Sequence, residues 1–278
     1  MGMLLLVDMG NSNIVLGRVR LPEGDFAGRP EEECVRELKE LPDFEVPFLD
    51  RMLTDRRMNA EDYRERISEI LKKHGIWPDD ITGCIMSSTV PILTGIIRQA
   101  LEDIISVKVI NLTGELPCGM KIGRDKPESL GADIIAGAVG AIHLFGSPVT
   151  VVDMGTCTTI AVVNPESEYV GGVIMPGVKS SLDGMQANAP HLPEILYERP
   201  GRVMGRNTVT CIQSGLMYGH ACAVEGLIRN IWRENGYETK VVVTGGFSKR
   251  VMPGTGLEYT YERDLIFKGL AIIYMFNR

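Results

Sequence analysis

The chain has 278 residues, of which 44% are hydrophobic and 23% charged, enough apolar content for one large or two ordinary domains. Its net charge of −7 is dispersed without a basic stripe, which argues against general attraction to nucleic acid or to an anionic membrane. Asp8 interrupts the first apolar stretch, leaving it too short for a signal segment, and no run reaches the roughly 18 apolar residues of a membrane helix, so a cytoplasmic location is expected.

Taken in order, residues 4–7 form an apolar run that reads as a strand, with Asp8 at its end, a turn over 10–13 and a returning strand over 14–19. Residues 22–47 are rich in Glu, Pro and Gly and carry little periodicity, so they read as an exposed excursion. The spacing of Tyr63, Ile67, Ile70 and Leu71 predicts a helix over 60–74, stopped by Gly75. A strand over 81–88 runs into Ser87-Ser88-Thr89-Val90-Pro91 and is followed by a helix over 92–105 and a strand over 108–112. A helix of small residues starts near Gly131, and Asp133 in its first turn reads on local grounds as a cap. The second half repeats the order: a strand enters Asp153, continues over 160–164 and returns over 169–175. A long helix over 212–232 and a strand over 240–243 ending at Thr244-Gly245-Gly246 complete an α/β succession.

The most informative feature occurs twice. Asp8-Met9-Gly10-Asn11-Ser12-Asn13 and Asp153-Met154-Gly155-Thr156-Cys157-Thr158 share the pattern Asp-Met-Gly-polar-x-polar, each directly after an apolar strand. One copy is ordinary turn chemistry. Two matching copies point to phosphate loops, because a glycine bend lets backbone N–H groups approach a phosphate and a strand-end carboxylate holds the accompanying Mg²⁺, usually through water. One such loop in each half suggests two related α/β domains facing each other across a cleft, divided as 1–118 and 119–278.

Neither a P-loop nor a dinucleotide glycine signature is present. The six cysteines, at 34, 84, 118, 157, 211 and 222, form no C-x-x-C pair and read mostly as reduced core residues. The four histidines are scattered, and His191 reads as a surface residue of a loop.

The motifs in order resemble those of the acetate and sugar kinase, heat-shock 70 and actin superfamily, and within it the type III pantothenate kinases. The matching elements are Asp8-x-Gly-Asn-Ser-Asn, Ser87-Ser88-x-Val90-Pro91, Pro127-x-x-x-Gly131-Ala132-Asp133, Asp153-x-Gly-Thr-x-Thr-Thr, Gly171-Gly172-x-Ile174-x-Pro176-Gly177, Gly205-x-Asn207-Thr208-Val209, Gln213-Ser214-Gly215-x-x-Tyr218-Gly219 and Thr244-Gly245-Gly246. The resemblance implies two ribonuclease H-like (actin-like ATPase) α/β domains with a nucleotide cleft between them. It implies ATP bound by Asp8, Gly10, Asn11, Ser12, Asn13, Gly155, Thr156, Thr158, Thr159, Gly245 and Gly246, with Asp8 and Asp153 at Mg²⁺. Asp133 takes the place of the catalytic base, and Arg124, Gly131, Ala132, Ile134 and Thr208 fall at the pantothenate pocket. The expected reaction is phosphorylation of pantothenate to 4′-phosphopantothenate, the first step of coenzyme A synthesis, by a homodimer that also requires K⁺ or NH₄⁺. The long helix, around 216–228, would supply dimer contacts or intramolecular core.

The sequence departs from the family pattern at three places: Arg124 where a Tyr is usual, Ile134 where an Arg is usual, and Ala161 where an Asp is usual. Loss of a forked cation at 134 removes charge-assisted pairing with a substrate carboxylate, which Arg124 would restore from a neighbouring position. Two alternatives therefore stand beside the first reading: a kinase of the same fold for another small hydroxyl compound, and a non-catalytic nucleotide-binding regulator.

Overall fold

The computed structural model describes residues 2–20, 45–123 and 129–278. These fall into two compact units, Met1–Gly146 with Asp264–Arg278, and Ser147–Arg263. Most of the 22–47 excursion lies outside the described residues, as do Cys34, Arg124 and Pro127.

The first unit contains β1 (Met3–Met9), β2 (Asn13–Arg20), β3 (Phe48–Leu53), α1 (Ala60–Lys73), β4 (Ile81–Ser88), α2 (Pro91–Glu102), β5 (Val109–Asn111), β6 (Lys121–Ile122), α3 (Ala132–Phe145) and, from the far end of the chain, α7 (Leu265–Asn277). Its main sheet has the order β3-β2-β1-β4-β5. β1 and β2 form the expected hairpin, and β1, β4 and β5 run parallel. Parallel strands buried on both faces explain why β1 and β4 read as continuous apolar runs. The two faces can be assigned from register, since residues paired across strands share a face and successive residues alternate. Leu5, Val7, Met9, Cys84 and Met86 pack with Tyr63, Ile67, Leu93 and Ile97 of α1 and α2. Leu4, Leu6 and Asp8, with Gly83, Ile85 and Ser87, point to the opposite face, where α3 and α7 pack.

Helix α1 follows its sequence signals closely. Asn59 and Asp62 make a reciprocal capping box, and Gly75 leaves the last turn with φ +64°. Helix α3 is nearly all small and apolar and packs backbone to backbone on α7. A Cβ at Gly140 would meet the carbonyl of Leu265, and one at Gly269 would meet the carbonyl of Ala136. That long-range contact is why α3 belongs with the first unit and why the division falls after Gly146, later than the 118/119 boundary that sequence order suggested.

The second unit contains β7 (Val149–Met154), β8 (Cys157–Val163), β9 (Glu168–Pro176), α4 (Val178–Asn188), α5 (Thr208–Asn235), β10 (Lys240–Thr244), α6 (Ser248–Val251) and β11 (Thr260–Tyr261). Its strands run in the order β11-β10-β7-β8-β9, with β7 parallel to β10 and antiparallel to β8. One face, carrying Val152, Met154, Ile160, Val241 and Val243, packs on Leu182 of α4 and on Leu216, Met217, Val224 and Ile228 of α5. Helix α5 begins at an Asn207–Thr210 capping box and ends at Gly236 in the left-handed region, so both ends exceed the expected 212–232 span. The expectation that most cysteines lie in the core fails: Cys84 and Cys118 are buried, whereas Cys157, Cys211 and Cys222 are exposed, at the start of β8 and on the outward side of α5. No helix among the described residues is long and apolar enough to cross a membrane.

Candidate functional site

Each Asp-Met-Gly pattern lies where a parallel strand ends. This is the edge of an open α/β sheet at which ligands bind, because strand-end backbone groups and the following loops converge there. In the first unit, Asp8 pairs with Val15 across the hairpin and with Ser87 on parallel β4. The bend is closed by the Gly10 N–H donating to the Asn13 carbonyl at 2.9 Å. Thr54, just after β3, braces it twice: its N–H donates to the Ser12 carbonyl at 3.1 Å and its hydroxyl to the Gly10 carbonyl at 2.7 Å. Arg56 donates to the Asn11 side-chain oxygen at 2.9 Å, which sets an exposed guanidinium beside the bend. The Thr89 N–H, after β4, donates to the Met9 carbonyl at 2.9 Å.

The second unit builds the same feature with different braces. The Gly155 N–H donates to the Cys157 carbonyl at 3.0 Å, closing a tighter bend. The Thr156 carbonyl accepts from the Gly177 N–H at 3.0 Å and from the Ser180 hydroxyl at 2.6 Å, which ties the bend to the start of α4. Parallel β10 sets Thr244 beside Asp153, and the chain then turns at Gly245 with φ +91°. Gly245 lies directly against the Asp153 carboxylate, so that a Cβ there would collide with Asp153 Oδ1 and stand 2.5 Å from the Met154 nitrogen. This is a requirement for glycine on two counts, backbone conformation and space.

The glycine N–H groups of both bends are spent inside the bends themselves. Gly10 and Gly155 therefore act by permitting the turn, and phosphate donors would have to come from the residues that follow them. Strand parity also separates two neighbours expected to act together. Thr159 pairs with Asp153 and shares its face. Thr158 pairs with Met154, points into the core against α5, is fully buried, and has no hydrogen-bond partner for its hydroxyl among the described residues. Gly246 follows Gly245 in the turn after β10 and is exposed. Ala161 shares the Asp153 face two residues further along β8 and is buried.

Asp133 stands in the first turn of α3, half-buried, with its carboxylate folded back over Gly131. Its Oδ1 accepts the Ile134 N–H at 2.8 Å, and a Cβ at Gly131 would lie 2.5 Å from that same oxygen. Burial pushes the carboxyl above the ordinary aspartate range, and the hydrogen bond from the Ile134 N–H offsets this only in part. A carboxylate whose proton affinity is raised by desolvation suits a general base. Ala132 is buried, while Ile134 is half-buried in the same turn. Thr208 is exposed at the first position of α5.

The donor set suits a hydrated hard cation. Among the described residues no three His, Cys, Asp or Glu side chains cluster as a metal cage. Asp8 and Asp153 are single carboxylates at strand ends, and Mg²⁺ is held in that manner, by one or two carboxylates together with waters and substrate phosphates. Sequence reasoning missed Thr54 and Arg56 and gave Ser87 no role, because the neighbours of all three depend on strands far away in the chain. The only local signal was the hydroxyl-rich run at 87–89.

Comparison with known proteins agrees with this geometry. Structures that share the fold include a putative Baf family transcriptional activator from Campylobacter jejuni, at 17% identity over 98% of each chain with a TM-score of 0.51. The ethanolamine utilization protein EutJ from Carboxydothermus hydrogenoformans matches at 14% identity, over 99% of this chain and 90% of that one, with a TM-score of 0.51. The activator of 2-hydroxyisocaproyl-CoA dehydratase from Clostridium difficile, with bound ADPNP, matches at 11% identity, over 99% and 94%, with a TM-score of 0.50. The fold is that of the actin-like ATPases, an α/β chain whose strands form two sheets. Residues 4–230 match the type III pantothenate kinase family, a stretch that takes in both Asp-Met-Gly bends and Asp133 and stops before β10. This chain belongs to the type III pantothenate kinase family and is a kinase-type, ATP-using phosphotransferase.

Proposed function

We propose that the protein transfers the γ-phosphoryl group of ATP to the primary hydroxyl of pantothenate, giving 4′-phosphopantothenate and ADP. The observation that carries the reading is the duplicated bend: a carboxylate at the carboxyl end of β1 and of β7, each followed by a glycine turn, in a chain that matches this family over residues 4–230. Asp133 accepts the proton of the attacking hydroxyl as its oxygen bonds to the γ-phosphorus and ADP leaves. Asp8 and Asp153 are the carboxylates that would each face a hydrated Mg²⁺, which when bound would supply charge neutralisation on the phosphates. Phosphoryl transfer draws most of its catalysis from positioning and charge neutralisation, so the rigid bracing of both bends matters more than any covalent nucleophile. Gly245 and Gly246 leave room for the nucleotide beside Asp153, Gly131 and Ala132 belong to the acceptor pocket, and Thr208 belongs to the segment that reaches across to the acceptor pocket of a neighbouring subunit.

The reading extends to a cytoplasmic homodimer activated by K⁺ or NH₄⁺. Support for the dimer comes from the outward face of α5, where Gly215, Gly219 and Gly226 have nothing within 4 Å of the position a Cβ would take. Exposed glycines inside a helix each cost about 1 kcal/mol relative to alanine. Three on one face are explained by close approach of a second copy.

A second acceptor is favoured by one residue. Ile134, half-buried beside Asp133, offers no charge to a substrate carboxylate, which suits another small hydroxyl compound. Arg124, the position from which a cation would be restored, lies outside the described residues. The test is ADP release by the purified protein with ATP, Mg²⁺ and K⁺, with and without pantothenate. Pantothenate-dependent release that Asp133→Asn lowers by about 10²–10⁴-fold supports the proposal. Release indifferent to pantothenate but stimulated by another alcohol selects the second acceptor, and undiminished release in Asp133→Asn removes the proposed base.

A further inference from the structure

The internal duplication reaches beyond the two bends to the neighbouring parallel strand. On β4, Ser87 is level with Asp8, and on β10, Thr244 is level with Asp153. Paired residues on parallel strands share a face, and adjacent strands lie about 4.8 Å apart, so each hydroxyl stands within side-chain reach of its carboxylate. The two hydroxyls differ in what they do. The Thr244 hydroxyl donates to the Arg263 carbonyl at 3.3 Å, and the Asp153 carboxylate is confined by the close approach of Gly245. The first unit has no glycine at the corresponding place: Ser88 and Thr89 follow Ser87. The Ser87 hydroxyl is fully buried and has no hydrogen-bond partner among the described residues. A buried, unsatisfied hydroxyl is costly, and one retained beside a strand-end carboxylate calls for an explanation outside folding.

We propose that Ser87 is the positioning residue of the first bend, its hydroxyl donating to the Asp8 carboxylate when a magnesium-bound nucleotide turns that carboxylate toward the cation. The serine performs at Asp8 the confinement that Gly245 performs at Asp153. Fixing one carboxylate oxygen with a neighbouring donor leaves the other aimed at the metal's hydration shell, as outer partners of ligating carboxylates do. The inference rests on the reading of the bends as a magnesium-nucleotide site.

The experiment uses the full chain and MgADP as probe. Melting temperature without ligand and MgADP affinity by calorimetry are measured for wild type, Ser87→Ala and Ser87→Thr. ADP binding in EDTA serves as the metal-free arm. Ser87→Ala is expected to melt at or above the wild-type temperature, because it removes an unsatisfied group, and yet to bind MgADP about tenfold or more weakly. In EDTA the two should bind ADP alike, and Ser87→Thr, which restores the hydroxyl, should recover most of the MgADP affinity. Equal MgADP affinity in wild type and Ser87→Ala overturns the inference while leaving the kinase reading intact. An affinity loss that accompanies a lowered melting temperature, or that persists in EDTA, assigns Ser87 to folding and also overturns it. Failure of wild type to bind MgADP removes the site and the inference together.

Discussion

Replacing Gly245 by alanine tests whether the second bend is held as described. Residue 245 has φ +91°, and its would-be Cβ collides with the Asp153 carboxylate and lies 2.5 Å from the Met154 nitrogen and 2.6 Å from its carbonyl carbon. Two of the three obstacles are backbone atoms of β7, which rotamer changes cannot move. Left-handed backbone costs a Cβ-bearing residue about 1–2 kcal/mol, and forcing a methyl group into filled space adds about 1–3 kcal/mol. Against this, alanine stiffens the unfolded chain, which stabilises by about 0.4–1 kcal/mol. The unfavourable terms win, and a net loss of about 2–4 kcal/mol is expected, a fall on the order of 5–15 °C in melting temperature. Because the clash pushes Asp153 away from its place, MgADP affinity should fall as well. Gly246→Ala, one residue on in open space, is the control for stability and should leave the melting behaviour unchanged to within about 0.5 kcal/mol. If Gly245→Ala melts with the wild type and binds MgADP equally, the close approach of residue 245 to Asp153 is refuted.

Asp133 makes a prediction with a definite sign. Its carboxyl binds a proton more tightly folded than unfolded, so its contribution to stability is fully present below the unfolded value of about 3.9 and is lost as pH rises through the raised folded value. Asp133→Asn should therefore be more stable than wild type at pH 7, with the difference closing as pH falls toward about 4; melting curves across that range check it. Arg56→Ala, which removes an exposed guanidinium from the first bend, should weaken MgADP binding about two- to fivefold at low salt and less at high salt, as calorimetry at two ionic strengths would read. Gly269→Val drives a branched side chain into the Ala136 carbonyl, separates α7 from α3, and should cost about 1–3 kcal/mol in urea unfolding.

What sequence reasoning could reach was set by whether a signal was local. Strand ends at Asp8 and Asp153 were legible because β1 and β7 are buried runs that stop at a charge and a glycine. Helix α1 was legible because Asn59, Asp62 and Gly75 mark both ends while Tyr63, Ile67, Ile70 and Leu71 mark the face. Helix α7 offered no such stripe: Leu265, Leu270, Ala271, Ile272, Ile273 and Met275 are all buried, and a segment apolar on every side has no period to detect. Its partner α3 also lacks a stripe and shows in the sequence only as a run of small residues after Gly131. The division of the units after Gly146 is hidden from local reading for the same reason, since it depends on glycines 140 and 269 fitting against each other's helix from 129 positions apart.

The site shows the same limit at the scale of single side chains. Parity along β8 was available from the sequence, because alternate residues face alternate ways. With Asp153 facing away from the α5 core, the antiparallel pairing places Thr159 with it and sends Thr158 inward. A motif written as consecutive letters hides this, and treats Thr158 and Thr159 as equal candidates. Register between β1 and β4 was not available at all, since no local rule fixes which residue 79 positions away stands beside Asp8. Ser87 sat inside a recognised motif and yet had no role until that register was known. A motif therefore identifies the residues that bend a chain around a ligand. Strand register identifies the neighbours that hold those residues still, and such neighbours are better sought as buried polar groups without partners than as further letters of the motif.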